Sequence, residues 1–197
     1  MYCSLGFNCH PAFFLKRNGL KKCSYPCDWI VSSLKNVTHF IETDFKLFLD
    51  KSQYTYLAPT KCGHKTYAEN MFWHMSPLND YEYYVRGVDR FRQLLKSSEK
   101  KTFLMMIING EHGVHSKISR AIIQDFVHFT HTLERYTQNF TVVVVVNYPY
   151  KSKQDHIITK IGNLQVIEMD TLSASNGIQF TDENDNLYMD SVLAFSD

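Results

Sequence analysis

The 197-residue sequence predicts an α/β fold: a mainly parallel, Rossmann-like sheet flanked by helices, with a small β-excursion around residues 53–73. Three observations predict it. Thr102–Ile108 and Phe140–Val146 are apolar runs without alternation, as expected of strands covered on both faces. Between them Ile118, Ile122, Phe126, Phe129 and Leu133 recur at helical spacing. Leu164–Met169 is a third, shorter apolar run, so the order reads β-α-β-α-β, the pattern of parallel strands joined by right-handed crossovers.

The elements follow in chain order. Tyr2–Leu5 reads as a short strand running into Gly6-Phe7-Asn8-Cys9. A helix is expected over His10–Asn18, with Pro11 in its first turn and Gly19 just past its end. Asn36–Asp50 reads as a second helix. Residues 53–73 read as strands around Pro59 and a Cys62-Gly63 turn. A long amphipathic helix spans about Asp80–Ser97, with Asn79 or Ser76 as its cap. Next come the first long strand, a helix over Ser116–Tyr136, the second strand, a short helix over Ser152–Ile161 and the third strand. The tail holds an acidic turn and a closing helix. No repeat or linker interrupts the chain, so one α/β domain over 1–197 is expected.

Composition narrows the function classes. Hydrophobic residues at 44% and charged residues at 21% are enough to build a core. A net charge of +1 argues against a dedicated nucleic-acid binder. The longest apolar run, Val142–Val146, has strand length, and the N-terminus lacks a basic region followed by an apolar one. A cytoplasmic protein without membrane or nucleic-acid partners is expected, acting on a small-molecule, glycan or peptide substrate. Its oligomeric state is unreadable. Five cysteines, an odd number at low density, are expected as free thiols. A zinc site from Cys23, Cys27, Cys62 and His64 is conceivable on paper, but Cys-x3-Cys is a weak signal. No metal or cofactor is expected.

The most informative segment is Ser4–Pro11. A helix start carries unsatisfied N–H groups and partial positive charge, which would lower the pKa of a thiol at Cys9 and offer an oxyanion hole. In the plainer reading, Asn8 caps the helix and Cys9 is a small buried residue. Asp28 beside Trp29 needs a partner, and a histidine is one candidate. His74 sits at a strand-to-loop transition. His112 lies in a Gly-rich loop after the first long strand, where open α/β sheets bind ligands. Arg86 and Arg90, four apart on one helix, could clamp a phosphate or carboxylate, although such a pair is more often a solvated face. His128 and His131 are expected on a solvent face.

Together Ser4–Ala12, Gly19-Leu20, Ser24–Ile30, His74 and Tyr84-x-Arg86-x3-Arg90-Phe91 resemble the family labelled "putative papain-like cysteine peptidase", domain of unknown function 1796. Its members read S-L-G-x-N-C-x-P-A, then G-L, then S-x-P-F-D-W, then a histidine. Cys27 stands where the family usually has Phe. The resemblance spans roughly residues 3–109. It implies Cys9 as nucleophile, His74 as base and Asp28 as the group orienting the histidine.

Three functions are therefore weighed. The first is a thiol-dependent hydrolase or acyl-transfer enzyme using Cys9, His74 and Asp28. The second is a glycosyltransferase-like enzyme at the C-terminal sheet edge, with Gly6 and Asn8 in the crevice and Arg86, Arg90 or His112 on a sugar nucleotide's phosphates. The third is a non-catalytic interaction domain in which Cys9 merely packs.

Overall fold

The computed structural model describes residues 1–108 and 117–194. Along the chain run β1 (Tyr2–Ser4), α1 (His10–Arg17), α2 (Leu34–Glu42), β2 (Tyr54–Ala58), β3 (Lys61–His64), β4 (Ala68–Phe72), α3 (Tyr81–Lys96), β5 (Lys101–Ile108), α4 (Arg120–Glu134), β6 (Phe140–Tyr148), β7 (Asp155–Ile161), β8 (Leu164–Asp170) and α5 (Glu183–Val192). One sheet has the order β1-β5-β6-β8-β7, with β1, β5, β6 and β8 parallel and β7 antiparallel at the edge. A second, antiparallel sheet has the order β2-β3-β4.

The unalternated apolar runs arise because the large sheet is buried on both faces. Phe103, Met105, Val142, Val144 and Val146 point to one face, where α2, α3, α4 and the small sheet pack. Leu104, Met106, Val143 and Val145 point to the other, under Phe14 and Leu15 of α1 and Met189 of α5. The first face is dominated by aromatic contacts, among them Phe40–Phe48 at 5.0 Å and Phe72–Tyr84 at 5.0 Å between ring centroids. Edge-on pairs of this kind add roughly 0.5–1.5 kcal/mol beyond the area they bury.

Local signals explain most boundaries. α1 ends where Gly19 takes φ +68° and Leu20 N–H bonds back to Leu15. Ser33 caps α2 by accepting from Asn36 N–H, and Ser119 caps α4 by accepting from Ile122 N–H. His128 and His131 are exposed on α4.

Several expectations are corrected. Ser152–Ile161 is no helix: residues 155–161 form β7, joined to β8 through Gly162-Asn163. Its β-branched Ile157, Ile158 and Thr159 and the two-residue turn, with Gly162 at φ +55°, outweigh a helical reading of the isoleucines. The connection from β6 to β8 therefore contains a strand instead of a helix. The second helix stops at Glu42, because Asp44 and Phe45 turn left-handed and carry Phe45 and Phe48 back onto Phe40. Cys62 and Gly63 lie within β3, and the β2–β3 turn is at Pro59-Thr60. A β-carbon at Gly63 would stand 2.3 Å from the Glu69 carbonyl oxygen, so glycine admits the neighbouring strand. Neither Asn79 nor Ser76 caps α3; its N-cap is Asp80, without a side-chain capping bond. Ile122 is exposed instead of inward. No helix among the described residues is long and apolar enough to cross a membrane.

Candidate functional site

The site begins where the chain leaves β1. Gly6 and Phe7 both adopt positive φ, +84° and +74°. A β-carbon at Gly6 would lie 2.6 Å from Ser32 Oγ and 3.2 Å from the Cys27 carbonyl oxygen, so this turn needs glycine twice over. Several bonds hold the turn. Phe7 N–H donates to Ser32 Oγ (2.9 Å), Asn8 Nδ2 donates to the Met106 carbonyl of β5 (3.2 Å), and Asn8 Oδ1 accepts from His10 N–H (3.0 Å). Cys9 is thereby placed at the N-cap of α1, beyond the C-terminal end of β1.

The same turn leads physically to His74. Ser32, which anchors Phe7, follows Val31, whose N–H bonds to the Met71 carbonyl (2.8 Å), and Ile30 forms a bridge with Phe72. Trp73 and His74 emerge from the end of β4 just beyond this junction. Cys9 and His74 consequently line one cavity of about 590 Å³. Phe7, Asn8 and the β5 end, Met106–Ile108, line it at the sheet edge; Val31, Asn70 and Trp73 form one wall; Asn176–Ile178 form another. This is the carboxyl edge of the parallel strands, the usual ligand position in open α/β sheets.

The described lining of the cavity includes no Lys, Arg, Asp or Glu. Trp73 is 41% exposed and carries the Lys61 ammonium 3.5 Å from its ring centroid. Cys9 is only 5% exposed, and burial, followed by the negative charge of Asp28, pushes its thiol up to about 11. This reverses the expectation of a thiol acidified by the helix start. The main reason is desolvation of the buried sulfur; the first turn also offers fewer free donors than an ordinary helix start, because His10 N–H is bound by Asn8 and Pro11 has none. Of the N–H groups expected to form an oxyanion hole, that of His10 is already engaged by Asn8.

Asp28 is buried, but it is absent from the cavity lining. Its Oδ2 accepts from the Lys21 ammonium and from Tyr25 N–H (2.8 Å). Burial raises its carboxyl, while Lys21 pulls the other way. Arg86 is exposed on α3, and Arg90 donates through Nε to the Ser24 carbonyl (2.7 Å); neither lines the cavity. The pair therefore does not face the crevice, and Arg90 instead braces the Ser24–Asp28 turn. Gly6 shapes the turn without lining the cavity, whereas Asn8 does both. His112 lies outside the described residues. Cys23 and Cys27 are on the Asp28 loop, and Cys62 and His64 are in β3, where His64 Nε2 contacts the Leu47 carbonyl (3.0 Å). Among the described residues no group of three or more His, Cys, Asp or Glu is placed to hold a metal ion.

Sequence reasoning missed Asn70, Trp73 and Asn176–Ile178. Trp73 adjoins a residue it did select, and Ser175-Asn176-Gly177 carries a turn signal. Nothing along the chain shows that this distant turn closes the cavity.

Residues 1–76 match the model of the family described as "Putative papain-like cysteine peptidase (DUF1796)". The match includes Cys9, Asp28 and His74 and stops short of Arg86, Arg90 and the wall at 176–178. No curated protein and no solved structure matches the chain.

Proposed function

We propose that this protein is a thiol-dependent hydrolase or acyl-transfer enzyme in which Cys9 is the nucleophile and His74 the base. The observation that carries the reading is that these two residues, far apart in sequence, line one cavity at the carboxyl edge of the parallel sheet. The family description of residues 1–76 points the same way.

The raised thiol pKa shapes the mechanism. At neutral pH Cys9 rests as a protonated thiol. His74 would take the Sγ proton as the sulfur attacks an acyl carbon, and return it to the departing alcohol, thiol or amine. The resulting thioester is cleaved by water or by a second nucleophile, regenerating the thiol. Asn176 offers a side-chain donor for the developing oxyanion. Its Oδ1 accepts from Ile178 and Gln179 N–H (3.0 Å each), and no acceptor among the described residues takes its amide hydrogens. The described part of the lining carries no charged side chain, which favours a substrate that is uncharged where it meets these residues.

The test uses p-nitrophenyl acetate and a panel of fluorogenic peptide amides, with mass mapping of any acylated residue. Acetyl transfer to Cys9, lost in Cys9→Ala and reduced ~10²-fold or more in His74→Ala, is the expected result. Turnover unchanged in both variants, or acylation elsewhere, would overturn the reading.

A further inference from the structure

We propose that His10 is a positioning residue: through Ser175 it holds the Asn176–Ile178 wall of the Cys9 cavity and so sets how large a group reaches the sulfur. The inference rests on reading this cavity as the reaction site, but it does not require Cys9 to be the nucleophile.

His10 follows Cys9 directly and opens α1, yet its side chain is 0% exposed and does not line the cavity. Its Nδ1 stands 2.8 Å from Ser175 Oγ. That hydroxyl also accepts from Gly177 N–H (3.1 Å), so its own proton is free to be donated to Nδ1. One hydroxyl thus joins the helix bearing Cys9 to the tip that lines the same cavity. The tip is internally braced, with Asn176 N–H donating to the Gln179 carbonyl (2.9 Å) and Asn176 Oδ1 closing the turn. These bonds make the tip a single braced unit.

The base is fixed as well. Ser175 bridges Phe180, whose ring lies edge-on to His10 at 4.8 Å. Phe180 N–H and carbonyl both bond to the buried Asn186 side chain of α5 (3.1 Å each). His10 Nε2 is buried without a hydrogen-bond partner. A buried polar ring that leaves one nitrogen unmatched is costly, and the contact made by its other nitrogen is the compensation visible here. Burial holds the ring neutral, its pKa down at about 3, so the Ser175 contact persists across ordinary pH.

The experiment compares alkylation of Cys9 by iodoacetamide and by the much bulkier fluorescein-5-maleimide, each mapped by mass spectrometry. Both reagents attack the same sulfur, so its intrinsic nucleophilicity largely cancels when variants are compared by the ratio of the two rates. Ser175→Ala and His10→Phe are expected to raise the bulky-to-small ratio about fivefold, the change in an opening equilibrium that one lost hydrogen bond gives. Ser175→Thr, which keeps the hydroxyl, retains the wild-type ratio. Buried Cys3 and Cys27 report global loosening and stay unlabelled. An unchanged ratio in both disrupting variants, or Cys3 and Cys27 labelling that rises in step with Cys9, overturns the proposal. Failure of the thiol-enzyme reading appears separately, as acyl transfer that survives Cys9→Ala.

Discussion

The Asp28 carboxylate is paired with the Lys21 ammonium, on a loop outside the cavity that holds Cys9 and His74. Asp28 therefore acts on the site from behind. It locks the Ser24–Asp28 turn, whose Cys27 carbonyl packs against Gly6, and its charge bears on the Cys9 thiol. An aspartate that oriented His74 would set the imidazole tautomer, and its loss would cost catalysis; an aspartate paired with Lys21 costs stability first.

Asp28→Ala strands the largely buried Lys21 ammonium and is expected to destabilise the fold by about 3 kcal/mol, as for a broken buried ion pair, read from urea unfolding. The gentler Asp28→Asn removes a charge that holds the Cys9 thiol up. Its iodoacetamide labelling at pH 8 should therefore be faster than wild type. Slower labelling would point back to an orienting role.

The pH profile of Cys9 labelling tests the resting thiol. With its pKa raised to about 11, the rate should keep climbing well past the range of a free thiol, ~8.5. The linkage has a definite sign. The protonated thiol is the form the fold favours, so this contribution is complete below the unfolded pKa and is lost as pH rises toward 11. A labelling inflection below pH 8 would contradict the burial of Cys9.

His10 makes the opposite contribution, on the acid side. Its folded pKa is depressed to about 3, so the neutral ring stabilises the fold fully above ~6.5 and less as pH falls through that value toward 3. Within that window each pH unit costs up to about 1.4 kcal/mol. His10→Phe should flatten the loss between pH 6 and 4 in chemical denaturation, and an equally steep loss in that variant would place the acid sensitivity elsewhere.

Gly6→Ala and Gly19→Ala form a matched pair. Both positions have positive φ, but a new methyl meets Ser32 Oγ and the Cys27 carbonyl at Gly6 and open space at Gly19. The backbone penalty of about 1–2 kcal/mol is shared, so the excess at Gly6 measures the contact alone. Thermal melting should place Gly6→Ala clearly below Gly19→Ala; equal midpoints would mean that the Ser32 side yields freely.

The parts of this protein legible in its sequence are those set by short-range pattern. Continuous apolar runs at β5 and β6 announce strands buried on both faces, because hydrophobic burial is written into every residue of such a strand. Helix ends at Gly19 follow from backbone freedom, and Cys9 and His74 stand out because their residue types carry chemistry. The pattern misled where two local codes competed, as in β7, whose isoleucines fit either period until edge pairing with β8 decided.

What only the tertiary structure decided is which distant groups meet. Asp28 could as well have found His74 as Lys21, since a buried carboxylate requires a partner without naming it. The acidity of Cys9 was likewise undetermined, because it depends on desolvation and on whether neighbouring N–H groups are already bound. The wall at Asn176–Ile178 reaches the cavity only through packing between α1, α5 and their connecting bonds. Such contacts are set by three-dimensional closure, which no local stretch of the chain encodes.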